Sequence, residues 1–278
     1  MDNLTRDDTV LTIQGTAIPR LGYGTWQVTG KDATDGVRDA LEIGYRHIDT
    51  ARAYGNEREV GDGLAGSDVD RGDIFLTTKI WLDDFEPAQL KAAAEDSLRQ
   101  LRTDHVDLLL LHWPSADVPM ERSLAAMQEL REAGRIRHAG VSNFPAGMLA
   151  RALAIAPLLA DQVEYHPFLA QDRLLQLAQE RDLTLTAYSP LAHGKVVGHP
   201  ELTAIGEQYG KSAGQVALRW LLDQPNVTVL PKASSHERRM ENFEVFDFRL
   251  SDEDRERIAA LPKDVRTADP AWAPDWED

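Results

Sequence analysis

Short β-rich apolar runs alternate with amphipathic helical stretches along almost the whole chain, and this alternation limits its fold more than any other feature. Strand-like runs occupy residues 21–24, 47–49, 74–79, 106–111, 136–141, 159–163, 184–188 and 227–230. Helical patterns fall between them. Residues 32–43 place Val37, Ala40 and Leu41 on one face, and residues 57–64 and 124–132 are also helical, the latter stopped by Gly134. Residues 87–101 open on Pro87, which a first helical turn tolerates because its N–H groups lack intrahelical partners anyway. Residues 106–111 are almost continuously apolar, as expected of a strand covered on both faces.

Strands that each hand over to a helix run parallel, and about eight such units in about 250 residues suit a closed (β/α)8 TIM barrel. Ahead of them, residues 10–18 turn at Gln14-Gly15 and predict a β-hairpin closing the bottom of the barrel. Behind them, residues 262–278 carry Pro262, Pro270, Pro274, Trp272 and Trp276 and predict an irregular C-terminal tail. No Pro-, Ser- or Gly-rich linker interrupts the chain, so one domain over residues 1–278 is expected. An open doubly wound sheet is the competing fold, and it calls for a glycine fingerprint in its first strand-to-helix turn. Gly61-Asp62-Gly63-Leu64-Ala65-Gly66 spells GxGxxG, but it follows a helical stretch rather than a strand. It reads as a helix end with glycine as the cap.

Composition narrows the chemistry. The chain has no cysteine, which excludes disulfides, thiolate metal sites and cysteine nucleophiles. No His/Asp/Glu group has metal-ligand spacing, so no metal is expected. The formal net charge of −16 opposes nucleic acid and anionic membranes as partners. The opening residues 1–8 are polar and acidic with no apolar signal core, and no apolar run approaches the ~20 residues that span a bilayer, so a cytoplasmic address is expected; a monomer is expected as well.

Four polar residues stand at or just past strand-like runs: Asp49, Tyr54, Lys79 and His112. On a parallel barrel the carboxyl ends of the strands share one rim, where these four can converge. There they suit protonation of a carbonyl oxygen. A phenol donates the proton, an ammonium lowers the phenol's pKa, a carboxylate fixes the ammonium, and an imidazole orients the substrate. Singly, each has a plainer reading as a turn residue, a solvated strand end or a core histidine.

The segments around them resemble the aldo-keto reductases. Gly44-Tyr45-Arg46-His47-Ile48-Asp49-Thr50-Ala51 with Tyr54-Gly55-Asn56-Glu57 is similar to the first signature of that family. Gly140-Val141-Ser142-Asn143-Phe144 is similar to the second, and Leu230-Pro231-Lys232 followed by Arg238, Glu241 and Asn242 to the third. Leu111-His112-Trp113-Pro114, Gln162-Val163-Glu164-Tyr165-His166-Pro167 and the ending from Asp269 to Trp276 fit as well, and resemble most the bacterial 2,5-diketo-D-gluconate reductase branch.

The resemblance implies reduction of aldehyde or ketone carbonyls with NADPH, on substrates such as keto-sugar acids, diketones or small aldehydes. It implies that Tyr54 is the general acid, with Asp49, Lys79 and His112 completing the tetrad. It assigns cofactor contacts to Gly24, Thr25, Asp49, Ser142, Asn143, Gln162 and Tyr188, and a loop over the pyrophosphate to Ser189, Leu191 and the residues up to Lys195. Lys232 and Arg238 are candidates for a 2′-phosphate, Ser234 for a further cofactor contact, and Glu241 and Asn242 for the adenine. Surface salt bridges are the plainer reading of Lys232 and Arg238. Ala233 stands where the family usually has a hydroxyl, so NADH acceptance beside NADPH is implied. Trp26, Trp81 and Trp113 are expected to wall a substrate pocket around Tyr54 and His112. Leu82 replaces an Asn common in this branch. Trp272 and Trp276 either fold across the mouth or stay free of the barrel.

Two rivals remain open at this point. One is a lyase using Lys79 as a Schiff-base lysine. The other is a non-catalytic NADP-binding regulatory subunit on the same fold.

Overall fold

Gln14 and Gly15 both take positive φ, 49° and 76°. That pairing matches the right-handed twist of flanking strands, and it folds β1 (Val10–Ile13) antiparallel onto β2 (Thr16–Pro19). The computed structural model describes residues 8–278; the polar opening stretch read above as lacking a signal core lies, up to residue 7, outside the described residues.

Eight strands follow: β3 (Tyr23–Gly24), β4 (His47–Asp49), β5 (Phe75–Ile80), β6 (Val106–Leu111), β7 (Ile136–Ser142), β8 (Ala160–Glu164), β9 (Thr184–Tyr188) and β10 (Val227–Leu230). They pair in sequence order, all parallel. A bridge between Leu21 and Val229 returns the last strand to the first, helped by Gly22 N–H to Val229 O at 2.8 Å and Gly24 N–H to Pro231 O at 3.1 Å. The barrel is therefore closed, as the alternation predicts. The first strand is shorter than the 21–24 expected. At Gly22 an added Cβ would sit 2.5 Å from Leu230 Cδ2 and 2.9 Å from the His47 ring, so any larger residue at this seam would force those side chains to move.

Among the described residues ten helices surround the strands: α1 (Gly30–Ile43), α2 (Glu57–Ala65), α3 (Pro87–Gln100), α4 (Met120–Glu132), α5 (Ala146–Ile155), α6 (Asp172–Glu180), α7 (Pro200–Tyr209), α8 (Ala213–Leu222), α9 (His236–Phe243) and α10 (Asp252–Ala259). Their apolar faces bury Val37, Leu90, Leu124, Leu149 and Leu218 against the outside of the barrel. The GxGxxG segment lies inside α2. A Cβ on Gly61 would lie 2.3 Å from Gln100 O, and one on Gly63 2.8 Å from Thr34 O. Those two glycines let α2 approach α3 and α1, and only Gly66 caps the helix.

The hairpin plugs the amino-terminal end of the barrel. Ile13 and Ile18 are buried against Phe75, Leu108, Leu110, Leu159 and Ala160. Gln14 Nε2 donates to Leu158 O and Asp182 O, both at 2.9 Å, just ahead of β8 and β9. The opposite rim is left for chemistry. Among the described residues no helix is long and apolar enough to cross a membrane.

Candidate active site

β4, β5 and β6 end side by side, and their ends bring the four expected residues together. Lys79 Nζ donates to Asp49 Oδ1 at 2.6 Å, to Thr50 O at 2.9 Å and to Tyr54 Oη at 3.2 Å. Lys79 and Asp49 are buried, so this ion pair works in a medium that screens it little. Tyr54 arrives on a short 3-10 turn (Arg52–Tyr54) that Gly55 terminates at φ 66°. His112 follows β6 directly, is tied by its N–H to Ile80 O at 3.0 Å, and sets its ring edge-on to Tyr54 at 5.7 Å.

Charge states follow from these contacts. Burial pulls Lys79 down, but Asp49 and Tyr54 more than offset it and hold the ammonium above its ordinary value. Burial pushes the Tyr54 phenol up, Lys79 opposes, and Asp49 adds to the rise, so the net shift is upward. The sequence reading expected the ammonium to lower this phenol. The net sign is upward because burial, the largest influence, outweighs the ammonium, and the Asp49 carboxylate adds to the rise. Burial drives His112 well below its usual value, and the Lys79 charge adds to the drop, leaving a neutral imidazole. Its buried Nδ1 has no hydrogen-bond partner among the described residues.

A polar network continues from Asp49 along the rim. Gln162 Nε2 donates to Asp49 Oδ2 at 2.7 Å, and Ser142 Oγ donates to Gln162 O at 2.7 Å. Asn143, held at φ 63°, donates from Nδ2 to His112 O at 3.0 Å and to Ser142 Oγ at 3.1 Å. Tyr188 Oη donates to Asn143 Oδ1 at 2.7 Å. Ser142, Asn143, Gln162 and Tyr188 are thus one connected wall. Gly24 ends β3, and Thr25 beside it is buried with an unpartnered Oγ1.

A second group gathers at the start of α9. Lys232, Ser234 and Arg238 are exposed there, and no ion pair engages either cation among the described residues. The salt-bridge reading of Lys232 and Arg238 therefore does not hold. Glu241 is exposed and Asn242 buried on the same helix. Asp39 of α1 anchors this helix through His236 at 2.6 Å and Arg239 at 2.5 Å. Between the two groups runs a loop in which Ser189, Ala192 and His193 all take positive φ (47°, 48° and 51°). Three non-glycine residues in that region are an energetic burden that a functional loop tolerates. Leu191 is half-buried within it. These groups suit an anionic dinucleotide: free cations at a helix start, an unpaired buried hydroxyl, and an amide-rich wall.

The indoles divide differently from expectation. Trp81 meets His112 at 5.0 Å and Trp272 at 5.9 Å, while Trp113 meets Trp272 at 5.0 Å and Trp276 at 6.0 Å. The tail therefore folds across the mouth and joins two of the expected pocket residues. Trp26 is not joined to them; its ring lies 5.4 Å from His193, over the left-handed loop. Leu82 lies in a 3-10 turn (Leu82–Asp84) and packs on the core.

Residues 20–263 match the aldo/keto reductase family. The chain belongs to that family. Among similar aldo/keto reductases, the glyoxal reductase of Bacillus subtilis (strain 168) is 41% identical over 262 residues, which are 93% of this chain and 94% of that protein. Methylglyoxal reductase DkgA of Escherichia coli (strain K12) is 36% identical over 265 residues, 93% of this chain and 95% of that one. A crystal structure assigned provisionally as a 2,5-diketo-D-gluconic acid reductase B superposes with a TM-score of 0.94 at 44% identity, covering 96% of this chain and 97% of its own. The branch resemblance and the barrel read from sequence agree with these likenesses. Sequence reasoning gave no role to Glu164, which the structure places under the tail. Its only signal was an acid directly after a strand-like run.

Proposed function

We propose that this aldo/keto reductase reduces the carbonyl group of small aldehydes and ketones, dicarbonyls foremost, using NADPH and Tyr54 as proton donor. The observation that carries this reading is the 3.2 Å contact of Tyr54 Oη with a lysine that Asp49 keeps charged. NADPH would supply the hydride to the carbonyl carbon. The chain's own residues would do the rest. Tyr54, its pKa raised, keeps its proton at neutral pH and can give it up as charge builds on the substrate oxygen. The phenolate left behind faces the Lys79 ammonium, an attraction of about 4 kcal/mol at ~4 Å and an effective dielectric of ~20. His112, neutral, orients the carbonyl by a hydrogen bond from its ring.

Ser142, Asn143 and Gln162 would hold the nicotinamide amide, Tyr188 would stack on its ring, and Gly24 and Thr25 would line the groove beside Asp49. Ser189 and Leu191 would cover the pyrophosphate. Lys232, Ser234 and Arg238 would take the 2′-phosphate, with Glu241 and Asn242 at the adenine. Ala233 offers no hydroxyl, so NADH is accepted more weakly rather than refused. The wall beside His112 is indole, from Trp81, Trp113 and Trp272, and suits short carbonyl compounds that carry little charge. Two similar proteins bear the names glyoxal and methylglyoxal reductase. We read the chain as one catalytic domain, working as a cytoplasmic monomer.

A Schiff-base lysine needs a free amine, and the charged environment of Lys79 works against it. A purely binding subunit has no use for a phenol on an ammonium. The test is NADPH consumption with methylglyoxal, aromatic aldehydes and keto-sugar acids. Tyr54→Phe should lower kcat by about 10²–10⁴ and leave the NADPH Kd within about twofold. Near-normal turnover in that variant refutes the mechanism.

A further inference from the structure

β8 serves the rim at two positions. Its Gln162 reaches Asp49, and two residues on, at the same strand end, Glu164 is 1% exposed and turns its carboxylate to the tail. Oε1 accepts from Thr267 N at 2.8 Å, Thr267 Oγ1 at 2.6 Å and His166 Nε2 at 2.9 Å. Oε2 accepts from Thr267 N at 3.0 Å and Ala268 N at 2.7 Å. His166 Nδ1 accepts from Phe168 N at 3.2 Å, which leaves Nε2 as the donor toward Glu164. Every acceptor direction of this carboxylate is used, and all but one of its partners belong to residues 267–268. Burial alone would raise its pKa, yet the donors from His166, Thr267 and Ala268 hold it down at about 2, so the contact persists across the physiological range.

The far end of the same segment is tied separately. Arg151 of α5 grips the Asp278 carboxylate at 2.7 and 3.2 Å, Gly147 N donates to Asp278 O at 3.0 Å, and Arg173 of α6 donates to Glu277 O at 2.7 Å. Trp272 lies between the two ties, packed on Trp81 and Trp113, and Trp81 in turn touches His112. The inner tie is buried; the outer one is half-exposed, so water and salt weaken it first.

We propose that Glu164 is a positioning residue for substrate: it hinges residues 267–276 as a strap that sets Trp272 against the carbonyl pocket, while Arg151 and Arg173 latch the other end. The inference rests on the reductase reading for its kinetic consequence and on the geometry alone for the hinge. In Glu164→Gln an NH2 group faces N–H donors, so the hinge loses acceptors without losing volume.

Two readouts test it. By hydrogen exchange, the Thr267 and Ala268 amides should be protected in the wild-type protein and exchange at least about tenfold faster in Glu164→Gln, with the barrel strands unchanged. By kinetics, Glu164→Gln should raise KM for methylglyoxal about tenfold, with kcat and the NADPH Kd changed by less than about threefold. Trp272→Ala should raise KM alike, and adding it to Glu164→Gln should change little more, since both act through one contact. Thr267→Val, which removes one donor and leaves β8 intact, should move the same quantities less; it decides the matter if Glu164→Gln does not fold. Unchanged exchange at 267–268, a freed tail with unchanged KM, or effects of Glu164→Gln and Trp272→Ala that multiply would each overturn the proposal. A wild-type protein that reduces no carbonyl refutes the reductase reading instead, and the exchange experiment still judges the hinge.

Discussion

At the scale of single residues, burial decides more charge states than proximity does. Tyr54 shows it in the reactive group, and Asp161 shows it in a group with no assigned part in the chemistry. Asp161 precedes Gln162 on β8, so it points away from the barrel interior, toward the helices. It is fully buried, and neither carboxylate oxygen has a side-chain partner within hydrogen-bond reach among the described residues. Burial pushes its pKa well above the usual carboxylate range, with the backbone of Phe144 opposing. The folded state therefore holds a proton that the unfolded chain releases near ~3.9, so stability is lost as pH rises from there through the folded value. Asp161→Asn is neutral at any pH and nearly isosteric. Its melting temperature should exceed the wild-type value at pH 7, by about 2–4 °C for each kcal/mol relieved, and the gap should close toward pH 4. A variant no more stable than wild type at pH 7 contradicts this account. The convergence of Asp49, Tyr54, Lys79 and His112 was legible because each stands at or just past a recognisable strand-like run. The direction of the Tyr54 shift was not, because depth of burial is a property of the assembled rim.

Among the elements, α9 is the one on which the proposed cofactor preference turns. Its start gathers Lys232 and Arg238, without ion-pair partners among the described residues, and its body is pinned to α1 through Asp39. Charge-assisted contacts to a phosphate are each worth roughly 1.5–3 kcal/mol. Lys232→Ala should therefore raise the NADPH Kd about tenfold or more and move the NADH Kd by less than about twofold, as titration of cofactor fluorescence would show. Equal losses for the two cofactors would remove the 2′-phosphate from this helix. The element pattern also shows where reading fails. The glycines of α2 looked like a helix end because a sequence shows spacing but not the Gln100 and Thr34 carbonyls that press on Gly61 and Gly63. Trp26 looked like a pocket wall because a loop's direction leaves no periodic trace, and its ring turned toward His193. Glu164 was silent because its partners lie 103 and 104 residues away.

Over the whole molecule, stability and chemistry sit at opposite ends of the barrel. The hairpin buries Ile13 and Ile18 at the amino-terminal end, far from Tyr54. Ile13→Ala should cost about 2–5 kcal/mol of stability, visible as a lower denaturant midpoint, with kcat/KM unchanged below that midpoint. A matching loss of activity in the folded variant would show that the two ends are coupled. The barrel was legible in its entirety because eight repeats of one rhythm leave few closed arrangements; the tail, having no rhythm, was not.

The strand ring closes on β10 through a single bridge, Leu21 to Val229, with the N–H groups of Gly22 and Gly24 donating beside it. The groups we assign to the dinucleotide stand on both lips of that joint, Gly24 and Thr25 on one and Lys232 and Ser234 on the other. A cofactor lying there would rivet the beginning of the barrel to its end, so the loaded protein should resist heat and protease by more than any local contact would suggest.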